Sequence, residues 1–402
     1  MDARKLNNFF LYLYVISIIF ESYDFGGLKG VFSVARLSAV FYILSTLPFI
    51  PSRLRIDKFR GTFHILLIFL FFYTFSSFVN QDLLVRLNLV GVEHYFSFPL
   101  IQNIFLFIII VNHIASDEKL IKGVVLSFYL GTYLMGILFM LGFGIEIDKE
   151  YDVSNQRLSL FGENVNSFGN KALIGYLIGL WMLLQTPFKS LISRISVLFS
   201  FPLFYSMIVA SGSRGAIIIA LISTIFLLYF YKTKSKIKKG LIYVAGFIFI
   251  VSFINGVLSS ESVLKERILL TIEEKHVGGR DELAAQVFSY IDEHILFGVS
   301  KSPLQIKGEY RDPHNILLAI LLSTGICGFV PFLLLNINLL KSSLTHYRMT
   351  GNVIVLLLFL TITFVSLKTG GIINRKILWF FYALALGSAI AVNKYKIKTL
   401  IN

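Results

Sequence analysis

Apolar residues occur along the chain in long runs that are separated by short polar segments. Many of these runs approach the ~20 residues that an α-helix needs to cross the hydrocarbon core of a bilayer. The pattern predicts an all-α polytopic membrane protein with about twelve transmembrane helices, in a single transmembrane domain over residues 1–402. The predicted spans are residues 8–22, 30–50, 62–79, 97–113, 122–144, 166–186, 194–210, 214–231, 240–258, 314–339, 351–367 and 374–393.

The first apolar run, Phe9 to Phe20, resembles the core of a signal peptide. A small-residue cleavage site does not follow it, whereas further apolar runs do. This run is therefore predicted to stay in the chain as a membrane anchor.

Basic residues are concentrated in every second predicted loop, on the same side as the start of the chain. Because cytoplasmic loops are enriched in Lys and Arg, this side is predicted to be cytoplasmic, with both termini on it. The 145–165 loop, the 211–213 turn and the 259–313 loop then face outward. The basic residues on the inner side are Arg4, Lys5, Arg53, Arg55, Lys58, Arg60, Lys119, Lys122, Lys189, Arg194, Lys232, Lys234, Lys236, Lys238, Lys239, Lys341, Arg348, Lys394, Lys396 and Lys398.

A long polar stretch, residues 259–313, lies between two predicted spans. Loops longer than about 12–15 residues are usually functional or disordered. This one contains a helical repeat of apolar residues that starts at Asp281, a candidate N-cap. We expect an amphipathic helix that lies on the membrane, with the chemistry of the protein beside it. The repeat consists of Leu283, Val287, Phe288, Ile291 and Ile295.

Composition supports the membrane prediction and narrows the function. The chain is 56% hydrophobic and 15% charged, where soluble domains are about 45–50% apolar and about 25% charged. The formal net charge of +14 is explained by the inner loops, and no recognition element for nucleic acid is present. Cys327 is the only cysteine, so an intrachain disulfide is excluded. Neither a metal-binding motif nor a cofactor-binding motif is found, so we expect neither group.

The turn Ser211-Gly212-Ser213-Arg214-Gly215 is the first candidate site. Its small residues leave backbone N–H groups uncovered at the start of the next helix, where anions are favoured. Arg214 adds a permanent charge with bidentate geometry for phosphate, and Ser213 adds a hydroxyl. The alternative is an interfacial arginine whose charge reaches out to water.

A second arginine stands at a helix start in Gly278-Gly279-Arg280-Asp281. The alternative is an ordinary surface charge. Two such sites on one face favour an anion with several oxygens to bind, such as a pyrophosphate. Arg311, near the end of the same loop, is a further candidate for substrate binding.

His314 follows Pro313, a residue suited to a helix start, at the outer boundary of the next span. Histidine is the side chain most easily tuned for proton transfer near neutral pH. His314 could take a proton from a sugar hydroxyl or position phosphate oxygens, with Asn315 beside it. The alternative is an interfacial histidine that is bonded to the backbone.

Three further residues are candidates for substrate binding. Arg157 and Asn166 lie in the 145–165 loop and at its end, where amides could bind sugar hydroxyls; turn chemistry at a helix entrance is the alternative. Arg36 lies within the second predicted span, and a charge inside a membrane segment indicates function. The alternative is that the Arg36 side chain extends to the membrane interface and has no functional role.

Four segments resemble the O-antigen ligase and O-antigen polymerase superfamily of bacterial envelope glycan assembly. They are SGSRGAIIIAL at 211–221, GRDELAAQVFSYIDEHILFGVS at 279–300, HNILLAILLSTGICGFVPFLL at 314–334 and RLSLFGENVNSFGNKAL at 157–173. In the last segment Val165-Asn166 stands where the family usually has Pro-Asn.

The resemblance implies a membrane glycosyltransferase of the bacterial inner membrane, without a metal, whose active site faces the periplasm. Its donor would be an oligosaccharide linked to undecaprenyl pyrophosphate and presented among membrane lipids. The active-site set of the ligase branch falls here on Arg214, Arg280 and His314. A chain-length-regulating co-polymerase is a partner that such an enzyme can have.

We expect an O-antigen polymerase that transfers the glycan to the non-reducing end of another lipid-linked repeat unit. An O-antigen ligase, which transfers the glycan to lipid A core, is the first alternative. A polyprenyl-glycan flippase or transporter is the second. It predicts charged or broken helices near the membrane midplane, whereas the polar signal in this sequence is concentrated at the outer surface. A receptor or structural membrane protein is the third.

Overall fold

The structure is a computed structural model that describes residues 2–24, 33–86, 97–148, 156–185, 190–231, 235–259, 262–273, 280–300, 304–306, 309–310 and 312–401. Over these residues the chain forms α-helices and two short antiparallel hairpins. The helices are α1 (Ala3–Ile18), α2 (Val34–Thr46), α3 (Ile50–Arg53), α4 (Arg60–Val79), α5 (Gln81–Arg86), α6 (Phe98–Ile114), α7 (Lys119–Met140), α8 (Val165–Gln185), α9 (Leu191–Ser211), α10 (Arg214–Phe230), α11 (Lys236–Ser259), α12 (Val263–Glu273), α13 (Arg280–Glu293), α14 (Ile316–Thr350), α15 (Ile354–Ser366) and α16 (Lys376–Ile401). The strands are β1 (Ile145–Asp148), β2 (Arg157–Leu160), β3 (Gln305–Ile306) and β4 (Glu309–Tyr310).

Seven helical segments within the described ranges are long and apolar enough to cross a membrane, and further apolar helices are shorter. The prediction of an all-α polytopic membrane protein is therefore confirmed. Each predicted span overlaps with a helix, but the number of about twelve spans stays a prediction. The seven segments are Val34–Arg53, Asp57–Val79, Lys119–Met140, Val165–Gln185, Leu191–Ser211, Ile316–Thr350 and Lys376–Lys394.

The chain divides into two compact units. The first contains residues 1–50, 117–275 and 347–361, and the second contains residues 51–116, 276–346 and 362–402. Both units are thus assembled from segments that are distant in sequence. A single transmembrane domain over residues 1–402 stays a prediction.

Helix α8 is the most buried of the long helices in the first unit and packs against α7, α9 and α10. Glycines allow its close approach to the neighbouring helices. A Cβ at Gly175 would lie 2.5 Å from Thr132 Oγ1, and one at Gly169 would lie 2.4 Å from Ser211 Oγ. Small residues at helix interfaces are typical of membrane bundles, where van der Waals packing replaces the hydrophobic effect as the driving force.

A buried ion pair stands at the start of α8. Lys171 and Glu163 form this pair, and the Ser167 hydroxyl donates to Glu163 Oε1 at 2.7 Å. Lys171 Nζ also donates to the Ile19 carbonyl oxygen at 2.8 Å. Charges removed from water need partners of this kind, so the pair fastens the end of α1 to α8.

The predicted amphipathic helix is present in the second unit as α13. Leu283 and Val287 are buried in a cluster with Val299, Leu304 and Leu322, and Ile291 packs beside it. Phe288 and Ile295 were predicted on the same face, but they are 56% and 49% exposed. The packed face of α13 is therefore narrower than predicted: Leu283, Val287 and Ile291, four residues apart, share one stripe of the helix, Phe288 lies beside that stripe, and Ile295 lies beyond the end of α13 at Glu293.

Helix α14 is interrupted in its first half at Gly325, where φ is 59° and ψ is −165°. The segment after α13 fills the break. Ile326 N–H donates to the Ile295 carbonyl oxygen at 2.9 Å, and Val299 N–H donates to that of Leu322 at 2.7 Å. A Cβ at Gly325 would lie 2.3 Å from the Leu296 carbonyl oxygen, so only glycine fits here. Non-helical backbone at membrane depth is tolerated where protein satisfies its polar groups in this way.

Candidate functional site

The Ser211–Ser213 turn joins α9 to α10 in the first unit. Gly212 ends α9 in the left-handed region, with φ at 60°, and Ser213 caps α10. The buried Ser213 hydroxyl accepts from Ala216 N–H at 3.4 Å, so its role in the structure is that of a cap. Arg214 is the first residue of α10, as the sequence predicted.

Two arginines hold successive carbonyl groups of this turn. Arg157 Nε donates to the Ser211 carbonyl oxygen at 2.9 Å, and Arg267 Nη1 donates to the Gly212 carbonyl oxygen at 2.7 Å. Charged donors make stronger hydrogen bonds than neutral ones. The turn that begins α10 is therefore fixed from β2 on one side and from α12 on the other.

The β1–β2 hairpin positions Arg157. Its strands place Asp148 directly opposite Arg157, and the two side chains are ion-paired at 3.6 Å. Arg157 Nη2 also donates to Asn166 Oδ1 at 2.9 Å, and Arg157 is only 2% exposed. Arg157 and Asn166, both predicted to bind substrate, are thus joined to each other.

The entrance of α8 shows turn chemistry. Asn164 Oδ1 accepts from Asn166 N–H at 3.0 Å, which is an Asx turn just before the helix. The alternative stated for these asparagines therefore describes what the backbone does here. Asn166 combines this turn with its contact to Arg157.

Arg214 is half-buried beside α12. Its Nη1 donates to the Arg267 carbonyl oxygen at 3.4 Å, which connects α10 to α12. Three arginines therefore surround the turn: Arg157 and Arg267 bind its carbonyl groups, and Arg214 begins the helix that follows it. We call these three residues the arginine cluster.

In the second unit, His314 precedes α14 with φ at 52°, in the left-handed region. The sequence predicted a helix start at Pro313, but α14 begins at Ile316. Asn315 is its cap, since Asn315 Oδ1 accepts from Leu317 N–H at 2.9 Å and from Leu318 N–H at 3.3 Å. The left-handed backbone at His314 cannot belong to a right-handed helix, which explains the later start.

Arg280 stands at a helix start, as predicted, but Asp281 is not the N-cap, because α13 already begins at Arg280. The position of the Arg280 side chain lies outside the described part of the structure. Arg311 lies wholly outside the described residues. The structure therefore groups Arg157, Asn166, Ser213 and Arg214 in the first unit, while Arg280, His314 and Asn315 belong to the second.

Arg36 lies in the first turn of α2, close to the end of the apolar segment Val34–Arg53. The helix begins at Val34, and the Ser33 hydroxyl accepts from Arg36 N–H at 3.3 Å. The predicted span began at residue 30, which put Arg36 deeper than it is. A charge at a helix start reaches the interface easily, as the stated alternative proposed.

Sequence reasoning missed Arg267, Asp148 and Asp312. Arg267 and Asp148 lie in polar segments, where a charged residue does not indicate a functional site. Asp312 precedes His314 by two residues and is one of several acidic residues in the 259–313 loop. Lys171, a charge inside an apolar helix, carried a signal that could have revealed its ion pair.

An apolar cavity of about 330 Å³ lies among α8, α9, α10 and α11 of the first unit. Leu180, Leu184, Leu198, Phe201 and Leu228 are among its lining residues. Leu198 precedes Ser211 by about 20 Å of helix at 1.5 Å per residue. The cavity is therefore near the ends of these helices that lie away from the arginine cluster.

Residues 195–333 match a family described as O-antigen ligase. The match begins in α9 and ends in α14, and it includes Arg214, Arg267, Arg280 and His314. A search of curated proteins finds no match to the chain. The family match confirms the resemblance inferred from the sequence and supports a function of the O-antigen polymerase or ligase type.

Proposed function

We propose that the protein is an O-antigen polymerase, a membrane glycosyltransferase acting on the periplasmic face of the bacterial inner membrane. It transfers a glycan from undecaprenyl pyrophosphate to the non-reducing end of another lipid-linked repeat unit. The observation that carries the proposal is the turn before α10, which the arginine cluster surrounds within the segment that matches the O-antigen ligase family.

Arg214 is proposed to bind the donor's pyrophosphate, and Arg280 keeps its predicted role as an anion-binding arginine, since each is the first residue of a helix. A helix N-terminus favours anions, and guanidinium groups suit phosphate oxygens. These charges would stabilise the pyrophosphate as it leaves, which is where negative charge develops in the transition state. His314 would accept the proton of the attacking sugar hydroxyl.

The remaining predicted residues receive more specific proposals. Arg157 and Asn166 would act by holding the turn, because Arg157 is buried and donates to protein atoms. Ser213 would act as the cap of α10. Asn315, Arg311 and Arg36 stay proposed substrate-binding residues.

The hydrocarbon tail of the donor is proposed to reach the apolar cavity among α8–α11. The cavity has the size of small-molecule sites, about 300–1,000 Å³, and leucines dominate its lining. A polyprenyl chain is long enough to extend over the ~20 Å of helix that separate the cavity from the turn.

Polymerisation is proposed in preference to ligation because its acceptor has the same chemistry as its donor. A separate recognition site for a lipid A core is then unnecessary. Ligation is the second candidate, and the description of the matching family favours it. The proposed reaction needs no nucleotide sugar, metal or organic cofactor.

Reconstitution tests the proposal. Purified protein in lipid vesicles would receive undecaprenyl-pyrophosphate-linked repeat units in the presence of EDTA, and glycan lengths would be read on a gel. We expect a ladder of products, and we expect Arg214→Ala to lower its rate at least tenfold through the lost phosphate contact, since a charged hydrogen bond contributes roughly 1.5–3 kcal/mol.

Arg194→Ala is the matched control, since Arg194 is exposed at the opposite end of α9. It should leave the ladder unchanged. Transfer only after lipid A core is added would support the ligase instead. Absence of transfer to either acceptor by folded protein would contradict both candidates.

A further inference from the structure

The loop between α15 and α16, residues 367–375, is held firmly in the second unit; we call it the glycine loop. Ser97 Oγ donates to Asn374 Oδ1 at 2.9 Å, and Asn103 Nδ2 donates to the Asn374 carbonyl oxygen at 2.9 Å. Trp379 Nε1 donates to the Ile373 carbonyl oxygen at 2.7 Å. Helices α6 and α16 therefore fix the path of this loop.

Asp312 and His314 converge on the glycine loop at Gly370. A Cβ at Gly370 would lie 3.2 Å from His314 Nδ1, 3.5 Å from Asp312 Oδ2 and 2.8 Å from Asp312 Cβ. A Cβ at Gly371, where φ is 64°, would lie 3.3 Å from Asp312 Oδ2. Because Gly370 and Gly371 have no side chains, a carboxylate and an imidazole can approach the same point of the loop.

The backbone around His314 is constrained on both sides. Pro313 is buried before it, and Asn315 caps α14 after it. His314 itself has a left-handed backbone, a conformation that residues other than glycine keep only where the surrounding structure imposes it. The position of the His314 backbone is therefore set by the fold, and Nδ1 of its imidazole lies toward the glycine loop.

We propose that Asp312 is a positioning residue for His314, supported by the glycine loop beneath both side chains. The Asp312 carboxylate would accept the Nδ1 proton of the imidazole and hold the tautomer in which Nε2 is the proton acceptor. The inference rests on the proposed transferase function, and it adds the group that keeps His314 able to accept the proton of the sugar hydroxyl.

The proposed step moves one proton to His314 and exchanges one bond at the anomeric carbon for another. The acceptor hydroxyl gives its proton to His314 Nε2 while its oxygen forms a bond to the anomeric carbon of the donor glycan. The bond from that carbon to the pyrophosphate oxygen breaks, and the pyrophosphate leaves with the electron pair. Asp312 stabilises the imidazolium and keeps its own charge.

Kinetics of Asp312→Asn test the inference. We expect kcat for polymer formation to fall at least tenfold while KM for the lipid-linked repeat unit stays within twofold, because the substrate is bound as before. Asp312→Glu should recover part of kcat. Asp312→Asn should add nothing in a His314→Gln background, because the carboxylate acts through that imidazole.

Gly370→Ala should lower kcat in the same manner, since its methyl group would displace the pair. Gly61→Ala and Asp292→Asn are the controls and should match the wild type: a Cβ at Gly61 meets nothing within 4 Å, and Asp292 is exposed on α13. An unchanged kcat in Asp312→Asn, a change confined to KM, or additivity with His314→Gln would overturn the inference.

Nitrogen NMR of ¹⁵N-histidine-labelled protein gives a readout that does not depend on activity, with His314→Gln used to assign the signal. We expect the Nδ1–H tautomer in the wild type and its loss in Asp312→Asn. Failure of the wild type to transfer glycan would refute the proposed function alone. The same tautomer in both proteins would refute the role of Asp312 alone.

Discussion

The three members of the arginine cluster differ in what surrounds each guanidinium group. Arg157 is buried against β1 and α8, donates two hydrogen bonds to protein oxygens and forms an ion pair with Asp148. Arg267 is half-buried and holds one carbonyl of the turn, and Arg214 is half-buried at the head of α10. Residue type alone made both Arg157 and Arg214 candidates for contact with the substrate, because burial and partners are not visible in a sequence.

Arg267→Ala is predicted to weaken binding of the lipid-linked donor. The variant loses the charged hydrogen bond to the Gly212 carbonyl oxygen, a contact worth roughly 1.5–3 kcal/mol. We expect the turn to loosen and KM for the lipid-linked donor to rise about tenfold, as measured in the vesicle assay.

Arg267→Lys keeps the charge on a point donor and should recover part of the affinity. The level of folded protein in the membrane should stay close to that of Arg194→Ala. An unaltered KM in Arg267→Ala would show that the turn does not need this hydrogen bond.

Among the elements, the starts of α2 and α14 differ from the predicted ones for the same reason. Helices α2 and α14 begin later than predicted because Ser33 and Asn315 cap them. Apolar runs define a span to within a few residues, whereas a single hydrogen bond from a side chain defines its first turn. The break in α14 at Gly325 was missed for a related reason, since its partner is the segment after α13.

Asn315 was predicted to bind substrate and is found as the cap of α14, so its substitution should affect stability. Asn315→Ala should lower the free energy of unfolding by about 0.5–2 kcal/mol through the lost cap. Asn315→Asp keeps a capping oxygen and should restore that stability, as measured by thermal unfolding in detergent.

Activity then separates the two roles of this residue. If capping is its role, Asn315→Asp should polymerise at close to the wild-type rate. A stable Asn315→Asp protein with a large loss of activity would assign the amide to the substrate as well.

For the whole molecule, the distribution of basic residues predicts which loops face the cytoplasm. In a Cys327→Ser background, Ser289→Cys on α13 and Ser235→Cys before α11 would report on opposite sides. Both positions are exposed. We expect a membrane-impermeant maleimide to label Ser289→Cys in spheroplasts and Ser235→Cys only after the membrane is opened.

The Cys327→Ser protein alone should stay unlabelled in both conditions. Labelling of Ser235→Cys in sealed spheroplasts would reverse the orientation and place the lysine-rich loop outside. The proposed position of the active site at the periplasmic face would then be wrong.

Sequence reasoning was enough to predict the membrane class, the approximate helices, the Ser211–Ser213 turn with Arg214 behind it, and an amphipathic helix that begins close to Arg280. These features are local, because the length of an apolar run and the chemistry of a turn depend on neighbouring residues. The matched family segment was recognisable for the same reason, since it rests on contiguous residues.

The tertiary structure alone decided how the turn is held and what lies beside His314. Arg157 meets Ser211 across 54 positions of the chain and Arg267 meets Gly212 across 55, and Gly370 meets Asp312 from another loop. Such contacts depend on which helices pack together, and glycines permit that packing where a Cβ would collide. Periodicity along the chain carries no record of these pairings, so Arg267, Asp312 and Gly370 became visible only in the folded protein.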